Sequence, residues 1–121
     1  MVGGVHWFNT PMRKFDIRMF GLCQIIDGIH FRGYFYKEGY IRTSSYKYDL
    51  QDLEDRDVHL TNDAVQDRNE EYGKYEQGNK ISQKDFANYL KKHRGINYYQ
   101  HIHPKIKDAI QHTLHAFWLK L

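Results

Sequence analysis

Between residues 14 and 19 the chain alternates: Lys14, Asp16 and Arg18 fall on one parity, and Phe15, Ile17 and Met19 on the other. Successive side chains of a strand point to opposite faces, so this spacing puts a cation, an anion and a second cation in one row. On pattern alone that row is a solvated strand face carrying a charge ladder. Two other residue types could do chemistry. The single cysteine, Cys23, lies in the apolar run "MFGLCQII" with no neighbour placed to lower its thiol pKa, and it reads as a small hydrophobe. Among the histidines, His112 and His115 are three apart on a predicted helix, with His93, His101 and His103 upstream. No cysteine or carboxylate spacing completes a zinc set, so these read as surface and core-edge side chains, and no metal site is expected.

The elements that must position these residues follow from hydrophobic period. Period-2 alternation predicts a strand at 13–23. "DG" at 27–28 punctuates the chain, and "RGYFYKEGYIRTS" then reads as a hairpin, with "GYFY" and "YIRTS" flanking "KEG" and Gly39 at the turn. Residues 46–58 are polar and acidic, a loop with a short helical turn, and "HLTNDAV" at 59–65 is short and mixed. From Ser82 the pattern turns helical: Ser82 and Asp85 resemble a capping box, and Phe86, Tyr89 and Leu90 form a stripe that Gly95 ends. A last helix over 103–120 opens near Pro104, with Ile102, Ile106, Ile110, Leu114, Phe117 and Leu121 recurring at threes and fours. Gly3, Gly4 and Pro11 make the first dozen residues irregular. The fold class is α+β: antiparallel strands over 13–45, then C-terminal helices, forming one partial domain over 1–121. The closing stripe wants something to pack against, so a sizeable exposed apolar patch is expected.

Composition narrows the function classes. An apolar content of 40% and an aromatic content of 16% support a core, and ten tyrosines weight it toward rings with a polar tip. The net charge of +3, from 18 basic and 15 acidic side chains, is too balanced to suggest a nucleic-acid partner. Rings of "YFYKEGY" beside arginines could stack on single-stranded bases, but acidic residues scattered through 49–76 argue against it. The first twelve residues contain no long apolar run, so neither a signal peptide nor a membrane partner is expected, and a lone cysteine fits a reducing, cytoplasmic compartment.

Four stretches, "RKFDIRMFGL", "YFYKEGYIRTSS", "VHLTNDAVQ" and "YGKYEQGNK", occur in that order. Together, from Arg13 to Leu90, they resemble the tubulin–tyrosine ligase and ligase-like family. The resemblance implies an ATP-grasp fold, ATP and magnesium as cofactors, and an amino-acid substrate. The amino acid would be joined to a carboxylate of tubulin, or of another acidic-tailed protein, through an acyl-phosphate, near microtubules or cilia. In that setting Lys14 would neutralise phosphate oxygens, and Asp16 would accept from nucleotide donors or order the site. Arg18 would offer a planar fork near the reacting centre, and Phe15, Ile17 and Met19 would anchor the strand beneath. Arg42 matches the arginine that holds a substrate carboxylate, and Thr61 and Asn62 match nucleotide-contacting positions. His59 would orient that loop or approach substrate. Lys80 falls where some glutamate-adding members carry a lysine, which tilts the amino acid toward glutamate over tyrosine or glycine. Read without the resemblance, Arg42 is an exposed strand arginine, Thr61 and Asn62 a turn or cap, and Lys80 a surface lysine at a helix entry.

The resemblance has gaps. "VHWFNTPM" stands where the family carries a different stretch, upstream lysines and a glycine-rich segment are absent, and so are the late-strand Asp, Glu and Asn that hold magnesium. Without metal carboxylates, phosphoryl transfer loses the ion that neutralises developing charge, so these residues read as half an active site. The alternative function is a non-catalytic relative that keeps the fold and a partner contact.

Overall fold

The computed structural model describes residues 12–120. Two long strands, β1 (Arg13–Ile26) and β2 (His30–Lys47), lead into two short helices, α1 (Arg56–His59) and α2 (Asp63–Gln66). A 3-10 turn at Gln77–Asn79 and a three-residue strand, β3 (Lys80–Ser82), follow. Three helices close the chain: α3 (Gln83–Arg94), α4 (Tyr98–His101) and α5 (His103–Trp118). The sheet order is β1-β2-β3, and β3 runs antiparallel to β2 with Tyr40 opposite Ser82, Ile41 opposite Ile81 and Arg42 opposite Lys80. This is an α+β architecture whose two long helices, α3 and α5, lie in the C-terminal part. The expected irregularity of the first residues concerns 1–11, which lie outside the described residues, as does Leu121.

The hairpin turn is not where the sequence reading puts it. "KEG" continues β2 without a break, and the chain reverses at Asp27–Gly28, where Ile29 N–H donates to the Ile26 carbonyl (3.1 Å). Asp27 and Gly28 have φ of 56° and 66°, the left-handed pair that a two-residue turn needs to match strand twist. Aspartate and glycine are the residues that tolerate it, whereas Gly39 has no positive φ. β3 was also missed. Three residues are too few for a period, and their sequence, Lys-Ile-Ser, reads as the approach to a helix. Lys80 is therefore a strand residue and not part of the helix entry.

Contacts divide the chain into two compact units. Among the described residues, the first comprises 12–18 and 40–86, the second 19–39 and 87–120. In the first, Ile41, Val58, Ile81 and Phe86 make a small apolar core, and Ile41 and Ile81 are cross-strand partners. Phe15 lies against Phe86, ring centroids 5.3 Å apart, yet stays 46% exposed, so the apolar parity of β1 anchors the strand less completely than alternation suggests. Much of what this unit buries is polar: Thr43, Ser44, Ser45, Gln66, Glu76 and Asn79. Gln66 shows how such groups are satisfied. Its carbonyl accepts from Ser45 N–H (2.8 Å), and its amide donates to the Asp57 (3.0 Å) and Leu60 carbonyls.

α3 starts as expected, with Asp85 N–H donating to Ser82 Oγ (3.0 Å), and Gly95 (φ 65°) follows its end. In the second unit, Leu90 and Tyr98 are buried. Asn97 caps α4 by accepting from Gln100 N–H (3.3 Å), and Pro104 sits in the first turn of α5. "HIH" at 101–103 is thus the junction of two helices. The α5 stripe runs Ile106, Ile110, Leu114, Trp118, every fourth residue, with Trp118 stacked on Phe31 (centroids 5.1 Å). Phe117, expected in the stripe, is 50% exposed. Gly21 permits the close approach of α5, because a Cβ there would come within 2.9 Å of Ile110 Cγ2.

Candidate functional site

The charged row of β1 meets its partners in the first unit. Asp16 receives a two-pronged contact from Arg42 on β2: Nε donates to Oδ1 (2.9 Å) and Nη2 to Oδ2 (2.6 Å). Thr61 Oγ1 adds a third bond to Oδ2 (2.7 Å). Three of the expected site residues, from three separate stretches, therefore share one carboxylate. Burial pushes the Asp16 carboxyl up, but the Arg42 and Thr61 hydrogen bonds, with the charges of Arg42 and Arg18, outweigh it and hold it below its ordinary value. The Asp16 hydrogen bond likewise raises Arg42, against its desolvation.

Register adds Lys80. It stands directly opposite Arg42, and Nζ lies 2.6 Å from Asp63 Oδ2 in the first turn of α2. The Asp63 hydrogen bond holds the lysine above its ordinary pKa. Asn62, at the N-cap position of α2, gives its backbone carbonyl to Val65 and Gln66 N–H (2.9 and 3.0 Å), while its exposed side chain makes no capping bond.

The remaining expected residues lie around Tyr48 or beside Asp16. Lys14 Nζ is 5.9 Å from the centre of the Tyr48 ring, and the His59 ring stands edge-on to the same tyrosine (5.4 Å). His59 Nε2 also lies 2.6 Å from the Asp52 carbonyl, tying the loop after β2 to α1. Arg18, exposed on β1, acts on Asp16 through its charge. Lys14, Arg18, Arg42 and Lys80 thus outnumber Asp16 and Asp63, so the arrangement can hold anions, with Arg42 as its most firmly positioned cation.

Sequence reasoning missed what supports this site. Arg13, at the head of β1, donates to Glu76 from Nη1 to Oε1 (2.9 Å) and from Nη2 to Oε2 (2.8 Å), and to the Ser44 carbonyl (3.0 Å). Thr43 Oγ1 donates to Glu76 Oε1, and Asn79 Nδ2 donates to the Thr43 carbonyl (3.2 Å) and Ser45 Oγ (2.9 Å). Glu76 and Asn79 belong to "YGKYEQGNK", a stretch the resemblance singles out without giving either residue a role. Asp63 adjoins the Thr61–Asn62 pair in the same way. Among the described residues no three His, Cys, Asp or Glu side chains gather as a metal site, and no helix is long and apolar enough to cross a membrane.

Comparison with known proteins places these observations. Residues 7–120 match the tubulin-tyrosine ligase family. The chain is 37% identical over 103 residues to tubulin glycylase 3B of Tetrahymena thermophila, covering 84% of this chain and 9% of that protein. It is 31% identical over 109 residues to tubulin glycylase 3F of the same organism, 90% of this chain and 12% of that one. Against the "Probable tubulin polyglutamylase TTLL9" of Bos taurus it is 38% identical over 60 residues, 50% of this chain and 13% of that protein. The chain spans about a tenth of the length of the curated relatives it matches.

Proposed function

Since this chain belongs to the tubulin–tyrosine ligase family, we propose that it is the central part of an ATP-dependent ligase, on an ATP-grasp scaffold, that joins an amino acid to a carboxylate of tubulin. The observation that carries the reading is the Asp16–Arg42–Thr61 cluster with Lys80 opposite Arg42. Arg42 is the residue assigned to the amino acid's carboxylate. Its Nε and Nη2 are held by Asp16, which fixes the guanidinium plane and leaves Nη1 to face a ligand. Lys14 and Arg18, both exposed on β1, are the residues that would hold phosphate oxygens, and the exposed Asn62 amide makes no capping bond. ATP supplies the phosphoryl group that activates the acceptor carboxylate. The described residues do not gather a magnesium donor set. The working location of such a ligase is the cytoplasm, where microtubules are.

The test uses the complete polypeptide that carries this segment, with purified tubulin, ATP, magnesium and labelled amino acids. ATP-dependent incorporation into tubulin, lost in Arg42→Ala, supports the reading. A polypeptide that binds tubulin without incorporating any amino acid refutes it in favour of a non-catalytic partner role.

A further inference from the structure

Resting on the ligase reading, we propose that Asp63 is a specificity-determining residue that selects against amino acids with an acidic side chain. It does so by occupying Lys80. Arg42 and Lys80 are direct partners across β2 and β3, and directly opposed residues carry their Cβ atoms about 4.5–5.5 Å apart. Two like charges so placed repel unless each has a counter-ion, and each has one: Asp16 for Arg42, Asp63 for Lys80.

The two pairs differ in kind. Asp16 accepts three hydrogen bonds, and the Arg42 and Asp16 side chains are 16% and 37% exposed, so that pair is held by several bonds at once. Lys80 and Asp63 share one contact at 2.6 Å with side chains 38% and 47% exposed, so theirs is within reach of a ligand. An amino acid whose α-carboxylate sits at Arg42 brings its side chain to the neighbouring position, Lys80. A side-chain carboxylate arriving there finds the ammonium already neutralised and meets the Asp63 carboxylate beside it. A side chain without charge, or none at all, meets no such conflict. The resemblance tilts the substrate toward glutamate because it treats Lys80 as partner for a second carboxylate. Here that partner is supplied by the chain, and the geometry favours a glycine-like amino acid.

The experiment compares glycine and glutamate as substrates of the complete polypeptide, with tubulin, ATP and magnesium. The native protein should prefer glycine. Asp63→Asn should raise the glutamate-to-glycine ratio of kcat/KM by about two- to fivefold, the span expected for exchanging one exposed ion pair. The change should reside in the KM for glutamate and disappear when Lys80→Ala is added. Asp63→Ser, which removes the charge through a different side chain, should give the same shift, and Asp63→Glu should restore the native ratio. A native preference for glutamate, or an unchanged ratio in both neutral variants, overturns the inference while leaving the ligase reading standing. Failure of the native protein to ligate either amino acid, or any other, overturns both.

Discussion

Arg13 and Glu76, 63 positions apart, form a doubly hydrogen-bonded ion pair whose side chains are 5% and 3% exposed. The pair ties the head of β1 to the turn that delivers β3. It therefore links the strand carrying Asp16 to the strand carrying Lys80. The Arg13 guanidinium also lies 4.4 Å over the Tyr75 ring, and Thr43 joins Glu76 from β2. Taking two charges out of water is costly, so such a pair does little for net stability, but leaving one partner alone is worse. Glu76→Ala should destabilise the chain by about 3–5 kcal/mol. Arg13→Met combined with Glu76→Leu should cost much less than the two single changes summed. A urea-denaturation double-mutant cycle checks both, and additive costs would show that the pair is not coupled.

Arg42→Lys keeps the charge of the site and loses the fork. A lysine can reach one Asp16 oxygen but cannot span both, and it leaves no second fixed nitrogen for a ligand. In the complete polypeptide we expect kcat/KM for the amino acid to fall about thirty- to a hundredfold, the loss of a charge-assisted carboxylate contact of roughly 2–3 kcal/mol. Steady-state kinetics with the preferred amino acid decide it, and an unchanged value removes Arg42 from the substrate site.

The fold was legible wherever a period had room to repeat. β1, α3 and α5 each run for twelve residues or more, and alternation or an apolar stripe at threes and fours announces them. The failures are local. Lys37-Glu38-Gly39 has turn composition, but Asp27-Gly28 already closes the hairpin, so β2 runs through it. β3 exists because it pairs with β2 over Tyr40–Arg42, and no property of its three residues alone reveals that. In the site, Asp16, Arg42 and Thr61 could be nominated separately by resemblance. That they share one carboxylate is a tertiary fact, and so is the Asp63 contact that changes what Lys80 can do.

The hairpin turn gives a direct test of that correction. Gly28 has a φ of 66°, where a side chain is strained even in open space, while Gly39 has no positive φ. Gly28→Ala should cost about 1 kcal/mol, and Gly39→Ala less than half of that. Thermal melts of the two variants rank them, and a larger loss at Gly39 would return the turn to "KEG".

Stability should depend on pH through Asp16. Its folded-state pKa is depressed, so its contribution is fully present above the unfolded value of about 3.9 and is lost as pH falls through the lower folded value. The native chain should therefore lose stability relative to Asp16→Asn only below about pH 4, where Arg42 and Thr61 lose their charged acceptor. Between pH 5 and 8 the difference between the two should stay flat. Urea titrations at stepped pH measure it, and a difference that changes near pH 6 would point to a histidine instead.

The second unit carries the exposed apolar surface that the sequence leads one to expect. Leu22 is 64% exposed, Ile29 73% and Tyr36 62%, all on the hairpin, and Phe117 and Leu119 of the closing segment stand at 50% and 73%. Side chains of this size left in water favour association, because each apolar area removed from solvent returns about 25 cal/mol per Å². The 121-residue chain should therefore self-associate at micromolar concentration. Leu22→Glu with Tyr36→Glu should shift it toward monomer, since neither side chain is among the buried residues that hold the fold. Sedimentation velocity over a concentration series reads the outcome. A native chain that stays monomeric throughout, and melts no differently from the double variant, would show that this surface drives no association.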